Sequence, residues 1–418
     1  MEKLAIEGGP KAVKVKLPPG FPGGNDISVE EEELVLKALR RRYLFRYYTR
    51  ELGGFDSLVE EFEKELEEFF GVKHAHAVTS GTEALKCALI AHEVGSRRDG
   101  SLHPEDEVII PVYTFVSTAF AVAAVGAKPV IADINETLTI DPEDIERRIT
   151  PNTRAIIPVH MRGLPCDMDA VMDIAQRHGI PVIEDVAQAL GASYKGRKLG
   201  TFGTGAFSLQ FFKNVTSGEG GFVLTDDDLI YERVQMAGDT SLCWRPGGPA
   251  GRFVPPRYEG EIFAVPGMGD YRMSELTGAV ALANFRKLKG RLEREKRNIN
   301  LMMKALEDLE IDFIPLNDPE GSLGIALIFL CPDPETTDKV VRALRAEGAR
   351  ASHIYHPDIP DWHVGFFWNP VFKVNPEEYR AKDILRRAVH IDVMPQDTEE
   401  ICMMQAEAIR KVAMAYLR

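Results

Sequence analysis

The sequence predicts an α/β protein with a large domain built on a mostly parallel β-sheet and a smaller C-terminal α+β domain. From Gly71 onward, short apolar runs alternate with helical stretches. The runs lack strict alternation of polar and apolar residues, so their strands are expected to be buried on both faces. Buried strands joined by helices are typical of βα units in a parallel sheet. The length of 418 residues allows two or three domains.

The N-terminal part is predicted to be helical, followed by the large domain. Over residues 28–70, Ser28 is placed to cap a helix, and a second helical spacing is set by Phe62, Leu66, Phe69 and Phe70. Residues 1–70 are therefore expected to form an N-terminal segment with helices. The large domain is expected over residues 71–273, where the runs and helices alternate.

The C-terminal part begins with one long helical pattern over residues 274–309, which is expected to join the two domains. The smaller domain then covers residues 310–418. Within it, GIALIFL is predicted to be a strand and TTDKVVRALRAEG a helix. A closing helix is predicted over residues 398–417.

Composition and charge exclude several classes of protein. A formal net charge of −14 has the wrong sign for a protein that binds nucleic acid through its phosphates. The best apolar stretch, Ala119 to Ala127, is too short to cross a bilayer. The N-terminus has no signal-peptide pattern. Five scattered cysteines indicate reduced thiols rather than disulfides or a zinc site, so we expect a cytoplasmic protein without a metal.

Two polar clusters at strand ends are candidate ligand sites, because ligands of open α/β sheets bind at the carboxyl ends of the strands. Gly81 and Thr82 follow a strand and begin a helix, which is an arrangement that suits a phosphate. The alternative is that Thr82 only caps the helix. Asp185 ends another strand and is placed to hold a proton on a ring nitrogen, with Gln188 near a ring substituent. The alternative is an ordinary strand-end turn.

Two further clusters complete the set. Lys213 follows FSLQFF, where an apolar surrounding would favour its neutral, nucleophilic amine. Strand alternation predicts that Lys213 and Phe211 point to one side and Phe212 to the other. Phe115, at the end of PVYTF, is placed to stack on a flat ring. A surface lysine and a core aromatic are the alternatives. Together the four clusters are those that a pyridoxal phosphate enzyme needs.

The motifs SGTEAL, PVYTFVST, EDVAQALGASYKG, FSLQFFKNVTSGEGG and GDYRMSEL resemble the DegT/DnrJ family of sugar aminotransferases, which are fold-type I pyridoxal phosphate enzymes. The resemblance covers nearly the whole chain. It implies an aspartate aminotransferase-like fold, with a seven-stranded-type sheet sandwiched by helices, and a homodimer with its sites at the subunit interface. The opening LAIEGGPKAV resembles members that aminate cyclitol or sugar ketones in antibiotic pathways.

The resemblance also implies residue roles. Lys213 corresponds to the lysine that carries the cofactor, Asp185 to the carboxylate on its ring nitrogen, and Gln188 to the residue at its ring hydroxyl. Phe115 corresponds to the stacking residue. The phosphate cup corresponds to Gly81, Thr82 and Ser208, and a family histidine near the cofactor corresponds to His160. A buried structural histidine is an equal alternative for His160.

One position departs from the family pattern. The family has Asn where this chain has Asp270, and that Asn comes from the partner subunit to donate to the cofactor phosphate. An ionised carboxylate cannot donate and repels a phosphate. The alternatives are a protonated Asp270, a contact through Arg272 instead, or no contact.

Three residues are candidates for contact with the substrate. By resemblance, Arg46 and Tyr47 are expected to face the substrate, with a solvated helix end as the alternative. His356, in the segment SHIYHPDIPDWH, is expected at the mouth of the site. This segment contains three histidines, but Pro357 and Pro360 break any helix that would align them. No metal site is therefore predicted.

The sequence thus predicts a pyridoxal phosphate-dependent aminotransferase that moves an amino group from L-glutamate or L-glutamine to a keto-sugar or keto-cyclitol by a ping-pong mechanism. Amino-sugar, aminocyclitol or antibiotic biosynthesis is the expected context. The alternatives are a dehydratase, decarboxylase or lyase on the same fold, and a non-catalytic protein that binds pyridoxal phosphate. A nicotinamide dehydrogenase is excluded, because no GxGxxG motif follows an early strand.

Overall fold

A computed structural model describes residues 3–46, 56–97, 101–240, 266–369 and 371–417. Two helices precede the sheet, α1 over Val29–Arg41 and α2 over Leu58–Phe70. A capping box between Ser28 and Glu31 begins α1. The helical pattern predicted over residues 28–70 is therefore divided between two helices, and its part over residues 47–55 lies outside the described residues.

The remaining elements of the large domain follow the predicted alternation. In chain order they are β1 (His74–Val78), α3 (Gly81–Ala91), β2 (Glu107–Pro111), α4 (Ser117–Ala124), β3 (Lys128–Ala132), α5 (Pro142–Arg148), β4 (Thr153–Ile156), α6 (Met168–His178), β5 (Ile183–Asp185), β6 (Ser193–Tyr194), β7 (Arg197–Lys198), β8 (Thr204–Ser208), β9 (Gly221–Thr225) and α7 (Asp228–Gly238). Strands β6 and β7 form a separate two-stranded hairpin.

Seven of these strands form one mixed sheet. Two hydrogen-bonded groups have the orders β1-β9-β8-β5 and β3-β2-β4. Parallel bridges from Ile156 to Val182 and from Val159 to Asp185 join them, which gives the order β1-β9-β8-β5-β4-β2-β3. Within this sheet only β9 runs antiparallel to its neighbours. The mostly parallel, seven-stranded fold predicted from the sequence is confirmed.

Helices cover both faces of the sheet. On β2, the side chains of Val108 and Ile110 belong to a core cluster with α3 and α4. The side chain of Ile109, between them, belongs to a second cluster with α2 and α6. Successive side chains of a strand point to opposite faces, so a strand buried on both sides needs an unbroken apolar run. This is the reason why EVIIP lacks alternation.

The linking helix of the sequence analysis is two helices. Helix α8 spans Glu275–Arg286 and α9 spans Leu288–Ala305, with Lys287 between them outside both helices. The Nζ of Lys287 lies 2.7 Å from Glu31 Oε2 in α1. The apolar periodicity continues across the junction and therefore does not reveal the interruption.

The smaller domain contains β10 (Ala326–Leu330), α10 (Pro334–Ala346), β11 (Ala351–His353), α11 (Ala381–Arg387), β12 (Ala388–Asp392) and α12 (Glu399–Tyr416). Its three strands form an antiparallel sheet in the order β10-β12-β11. Leu4 and Val13, from the start of the chain, are buried in its core. None of the described helices is long and apolar enough to cross a membrane.

Candidate active site

A cavity of about 320 Å³ opens beside the carboxyl ends of β5 and β8. Its wall combines residues from both domains and from the N-terminal segment. The polar and ionisable residues in that wall are Arg162, Gln188, Lys213, Asn214, His363, His390 and Asp392. Two of the predicted site residues, Gln188 and Lys213, are therefore brought to one cavity.

Lys213 lies in a turn rather than in a strand. Strand β8 ends at Ser208, and the N–H of Lys213 donates to the carbonyl of Gln210 at 2.9 Å. The predicted strand alternation of residues 211–213 is therefore wrong, because the chain turns before it reaches them. The Lys213 carbonyl accepts from the N–H of Gly23 at 3.0 Å. A Cβ at Gly23 would lie 2.8 Å from that carbonyl, so only glycine fits there.

The amine of Lys213 has no hydrogen-bond or ion-pair partner among the described residues. Burial lowers the pKa of Lys213 below its ordinary value of 10.5, and the charge of Asp185 only partly opposes this shift. The charge of Arg162 lowers the pKa of Lys213 further. A lysine in this state has a larger fraction of neutral amine at neutral pH, which is the form that attacks a carbonyl.

Asp185 ends β5 and is 5% exposed. Its Oδ2 accepts from the Thr118 hydroxyl at 2.9 Å, and its Oδ1 accepts from the N–H of Ala187 at 3.1 Å. Burial raises the pKa of Asp185 above 3.8, and these two hydrogen bonds oppose the shift. No cation is in contact with this carboxylate among the described residues. A protonated ring nitrogen would supply the missing positive charge.

The start of α3 forms a narrow cradle. Ser80, not Thr82, caps the helix, because its side chain accepts from the N–H of Glu83 at 3.2 Å. A Cβ at Gly81 would lie 2.7 Å from Ser208 Cβ. A Cβ at Gly221 would lie 2.4 Å from the carbonyl of Ser80. Glycine at both positions keeps the backbone of the cradle close to Ser208, and a helix N-terminus attracts an anion.

Gln188 lines the cavity, and Phe115 contacts His363 in its wall. The side-chain oxygen of Gln188 accepts from the N–H of Arg162 at 3.1 Å, which leaves its amide N–H groups as donors. The Phe115 ring is 41% exposed and lies 5.2 Å from the ring of His363, a residue of the cavity wall. The stacking role of Phe115 stays a prediction.

His160 lies behind the cavity rather than in its wall. It is 0% exposed, and its Nδ1 accepts from the N–H of Cys166 at 3.1 Å. Its Nε2 lies 3.4 Å from Glu184 Oε2. The backbone N–H of His160 donates to the carbonyl of Asp185 at 3.1 Å. This geometry favours the structural alternative, in which His160 positions the strand end that carries Asp185.

Of the three predicted substrate residues, the two that the structure describes, Arg46 and His356, are not brought to the cavity. Arg46 is 1% exposed and donates to both oxygens of Glu63 at 2.7 Å. Tyr47 lies outside the described residues. His356 lies 3.7 Å from Asp338 on α10 and accepts from the N–H of Asp358. Substrate roles for Arg46 and His356 find no support in these positions and stay predictions.

Asp270 is half-exposed and hydrogen-bonded within its own chain. Its Oδ1 accepts from the Thr240 hydroxyl at 2.7 Å and from Arg272 at 2.7 Å. The hydrogen bond from Thr240 lowers the pKa of Asp270, and Arg272 lowers it further. An ionised Asp270 is therefore the state that these contacts stabilise, and a direct contact with a phosphate is disfavoured.

Five polar or ionisable residues of the cavity wall were not among the predicted site residues: Arg162, Asn214, His363, His390 and Asp392. Arg162 stands within PVHMRG and His363 within SHIYHPDIPDWH, both of which the sequence analysis had singled out for another residue. Their convergence depends on how the smaller domain lies against the sheet, which local sequence patterns do not encode.

The residues present fit pyridoxal phosphate. An amine of lowered pKa, a buried carboxylate without a cation and a glycine-lined helix N-terminus are the three features that its aldehyde, ring nitrogen and phosphate require. All three lie at the carboxyl ends of strands β1, β5 and β8.

Comparisons with known proteins show the family of this chain. The model of the DegT/DnrJ/EryC1/StrS aminotransferase family matches residues 45–410. The spore coat polysaccharide biosynthesis protein SpsC of Bacillus subtilis is 32% identical over 366 residues, which are 85% of this chain and 89% of SpsC.

Two solved structures extend the comparison. DesI, determined in the presence of its TDP-sugar product, is 26% identical with a TM-score of 0.77, over 99% of this chain and 98% of DesI. An aminotransferase from Psychrobacter cryohalolentis is 25% identical with a TM-score of 0.79, over 96% of this chain and 100% of that protein.

Proposed function

This chain belongs to the DegT/DnrJ/EryC1/StrS aminotransferase family and is a pyridoxal phosphate-dependent aminotransferase, and we propose that it transfers an amino group from L-glutamate or L-glutamine to the keto group of a sugar or cyclitol. The observation that carries the proposal is the unpaired amine of Lys213 in the charge field of the buried Asp185. The Lys213 amine has no partner among the described residues, and Asp185 has two hydrogen bonds but no contacting cation among them.

Each residue has a definite task in this proposal. When bound, pyridoxal phosphate supplies an electron sink that stabilises negative charge on the carbon next to the transferred nitrogen. Lys213 Nζ holds the cofactor, and once released it takes the proton from the donor's α carbon and returns one on the cofactor side. Asp185 keeps a proton on the ring nitrogen. Gln188 would donate to the ring hydroxyl, Phe115 would stack on the ring, and Gly81, Thr82 and Ser208 would hold the phosphate.

A single cavity supports a ping-pong order of reaction. Lys213 lines the described cavity, so donor and acceptor would occupy the same space in turn. The keto acid leaves before the acceptor enters, and Lys213 then moves the proton in the opposite direction.

Relatives support a sugar-like acceptor. SpsC is described as a polysaccharide biosynthesis protein, and DesI was determined with a TDP-sugar product. We therefore place this chain in amino-sugar biosynthesis, with aminocyclitol and antibiotic biosynthesis as narrower contexts, and in the cytoplasm. We also infer a homodimer, in which Asp270 holds Arg272 at the edge of the partner's phosphate site.

The test is the visible spectrum of the purified protein with pyridoxal phosphate, before and after L-glutamate or L-glutamine is added. We expect an absorption band that one of the donors bleaches, with release of the matching keto acid. Lys213→Ala should lose that band, and the exposed Lys128→Ala should keep it.

Three results would overturn the proposal. A wild-type protein that forms no band with added cofactor would remove the cofactor assignment of this site. A band that bleaches while carbon dioxide or ammonia is released, without amino transfer, would indicate another reaction type. A band that no amino acid bleaches would indicate a non-catalytic protein.

A further inference from the structure

Arg162 presents an unpaired guanidinium to the cavity. Its Nε lies 3.5 Å from the Tyr113 hydroxyl, which is the limit of a hydrogen bond. Its two terminal nitrogens have no hydrogen-bond or ion-pair partner among the described residues. Arg162 stands in the wall of the cavity that also contains Lys213. A desolvated guanidinium without a counter-ion is costly unless a ligand supplies one.

The backbone at Arg162 is held in an uncommon conformation. Its φ of 54° and ψ of 29° lie in the left-handed region, which residues other than Gly, Asn and Asp seldom adopt. Gly163 follows with a φ of 73°, and a Cβ there would lie 2.8 Å from Leu323 Cβ. The N–H of Arg162 donates to Gln188 at 3.1 Å. The backbone conformation sets the direction in which the side chain leaves Arg162, and the backbone hydrogen bond links Arg162 to a residue of the predicted cofactor site.

No carboxylate of the described residues forms an ion pair with Arg162. Asp361 and Asp392 lie near enough for their charges to act on Arg162, but neither makes an ion pair with it. Asp361 is instead 2.7 Å from His363 Nδ1. The charge of Arg162 acts in turn on Lys213. An anion bound to Arg162 would therefore lie close to the amine at the reacting centre.

We propose that Arg162 binds the α-carboxylate of the amino donor and is the residue that selects amino acids for the first half of the reaction. The proposal rests on the proposed function, because the donor is an α-amino acid. The carboxylate is attached to the carbon that reacts, so its anchor must lie beside Lys213. The planar guanidinium has two free N–H groups on one edge, which match the two oxygens of a carboxylate.

Binding to the holoenzyme tests this anchor without any turnover. Calorimetry would compare 2-oxoglutarate with 2-oxopentanoate, which has the same five-carbon chain but only the α-carboxylate, and with glucose 1-phosphate. We expect Arg162→Gln to weaken both keto acids about 10- to 100-fold and to leave the phosphate unchanged. Arg162→Lys should recover part of the loss. The exposed Arg177→Gln is the matched control and should bind like the wild type.

Other patterns would overturn the assignment. Equal keto-acid binding by wild type and Arg162→Gln, or no binding by wild type, would remove Arg162 as an anchor. A loss confined to 2-oxoglutarate would assign the donor's side-chain carboxylate instead. A loss confined to glucose 1-phosphate would assign a phosphate of the acceptor. The cofactor band and the unfolding temperature of each variant would show that the site is still assembled.

Bleaching by the donors tests the proposed function, and binding of the keto acids tests the Arg162 anchor. If wild-type protein is not bleached by L-glutamate or L-glutamine, the choice of donor is wrong, while the keto-acid titrations still decide whether Arg162 binds an α-carboxylate. If the wild type is bleached, Arg162→Gln should weaken the apparent affinity for both donors to the same extent, because both have an α-carboxylate.

Discussion

The cavity and the junction between the N-terminal segment and the smaller domain each contain a lysine. The lysine at the junction forms an ion pair, and the lysine in the cavity has no partner among the described residues. At the junction, Lys411 Nζ lies 2.9 Å from Glu347, whose carboxylate also accepts from the N–H groups of Ala5 and Ala12. In the cavity, Lys213 has no such partner among the described residues. The first arrangement joins two parts of the fold, and the second leaves an amine available for chemistry.

The same contrast separates two arginines. Arg46 has its guanidinium bonded to both oxygens of Glu63 and to the carbonyl of Ala77. Arg162 has one long contact and faces the cavity. A buried charge with its partners present is therefore better evidence of a structural role, and one without them is better evidence of a ligand site.

The largest expected effect comes from Lys213. Lys213→Ala should reduce amino transfer about 10⁴-fold, because it removes both the group that holds the cofactor and the group that moves the proton. The measurement is steady-state turnover with a saturating donor. Lys411→Ala is the informative comparison, since it should lower the temperature of unfolding while turnover per folded molecule stays the same. A large loss of turnover in Lys411→Ala would show that the paired lysine is also needed for the reaction, which contradicts a purely structural role for the junction.

Arg46→Met should have the largest effect on stability. It removes the guanidinium that is bonded to both oxygens of the buried Glu63. Breaking a buried ion pair by removing one partner typically costs about 3–5 kcal/mol. Urea unfolding of the holoprotein measures this loss, with the exposed Arg177→Met as the control. If Arg46→Met unfolds like the wild type but has a raised KM for the acceptor, Arg46 faces the substrate, as the sequence analysis predicted.

Asp185→Asn should lower turnover about 100-fold while the protein stays folded. Asparagine keeps the size and one of the two acceptor oxygens but cannot hold a proton on the ring nitrogen as a carboxylate does. Donor-induced bleaching should slow by the same factor, as stopped-flow absorbance would show. Turnover equal to that of the wild type would mean that the unpaired charge of Asp185 has no part in the chemistry.

Features formed by residues next to one another in the chain were predictable from the sequence. Features formed by residues from distant segments were not. The strand ends that carry Gly81 and Asp185 were identified because an apolar run, a turn and a helix start stand next to one another in the chain. The wall formed by Arg162, His363 and His390 comes from three distant segments. Their proximity is set by the packing of the smaller domain, and no local periodicity reports on it.

Two errors have a physical reason in hydrogen bonding. Residues 209–213 look like the continuation of a strand because Leu209, Phe211 and Phe212 are apolar. The N–H of Lys213 instead donates to the carbonyl of Gln210 and closes a turn. The helical pattern over 274–309 is continuous in hydrophobicity, yet the helix is interrupted at Lys287. Hydrophobic periodicity reports which face is buried and not where the backbone hydrogen bonds change partner.

The smallest expected effect concerns a paired charge at the surface of the smaller domain. The hydrogen bonds from Arg386 lower the pKa of Asp338 below its ordinary value of 3.8, and a hydrogen bond from His353 adds to the shift. A carboxyl group whose pKa is lowered by folding stabilises the protein above its unfolded pKa, and this contribution is lost as the pH falls through the folded value. Because Asp338 is partly exposed, its contribution at neutral pH should be only about 0.5–1 kcal/mol.

Asp338→Asn should therefore reduce the stability at pH 7, and the difference from wild type should shrink below pH 3.8. Urea unfolding at a series of pH values measures this, with Asp383→Asn, an exposed i,i+4 partner of Arg387, as the control. A difference that stays constant down to pH 2 would show that Asp338 contributes through packing rather than charge. A change in turnover would instead connect the pair to the neighbouring His356, and it would extend the functional region from the cavity to this surface.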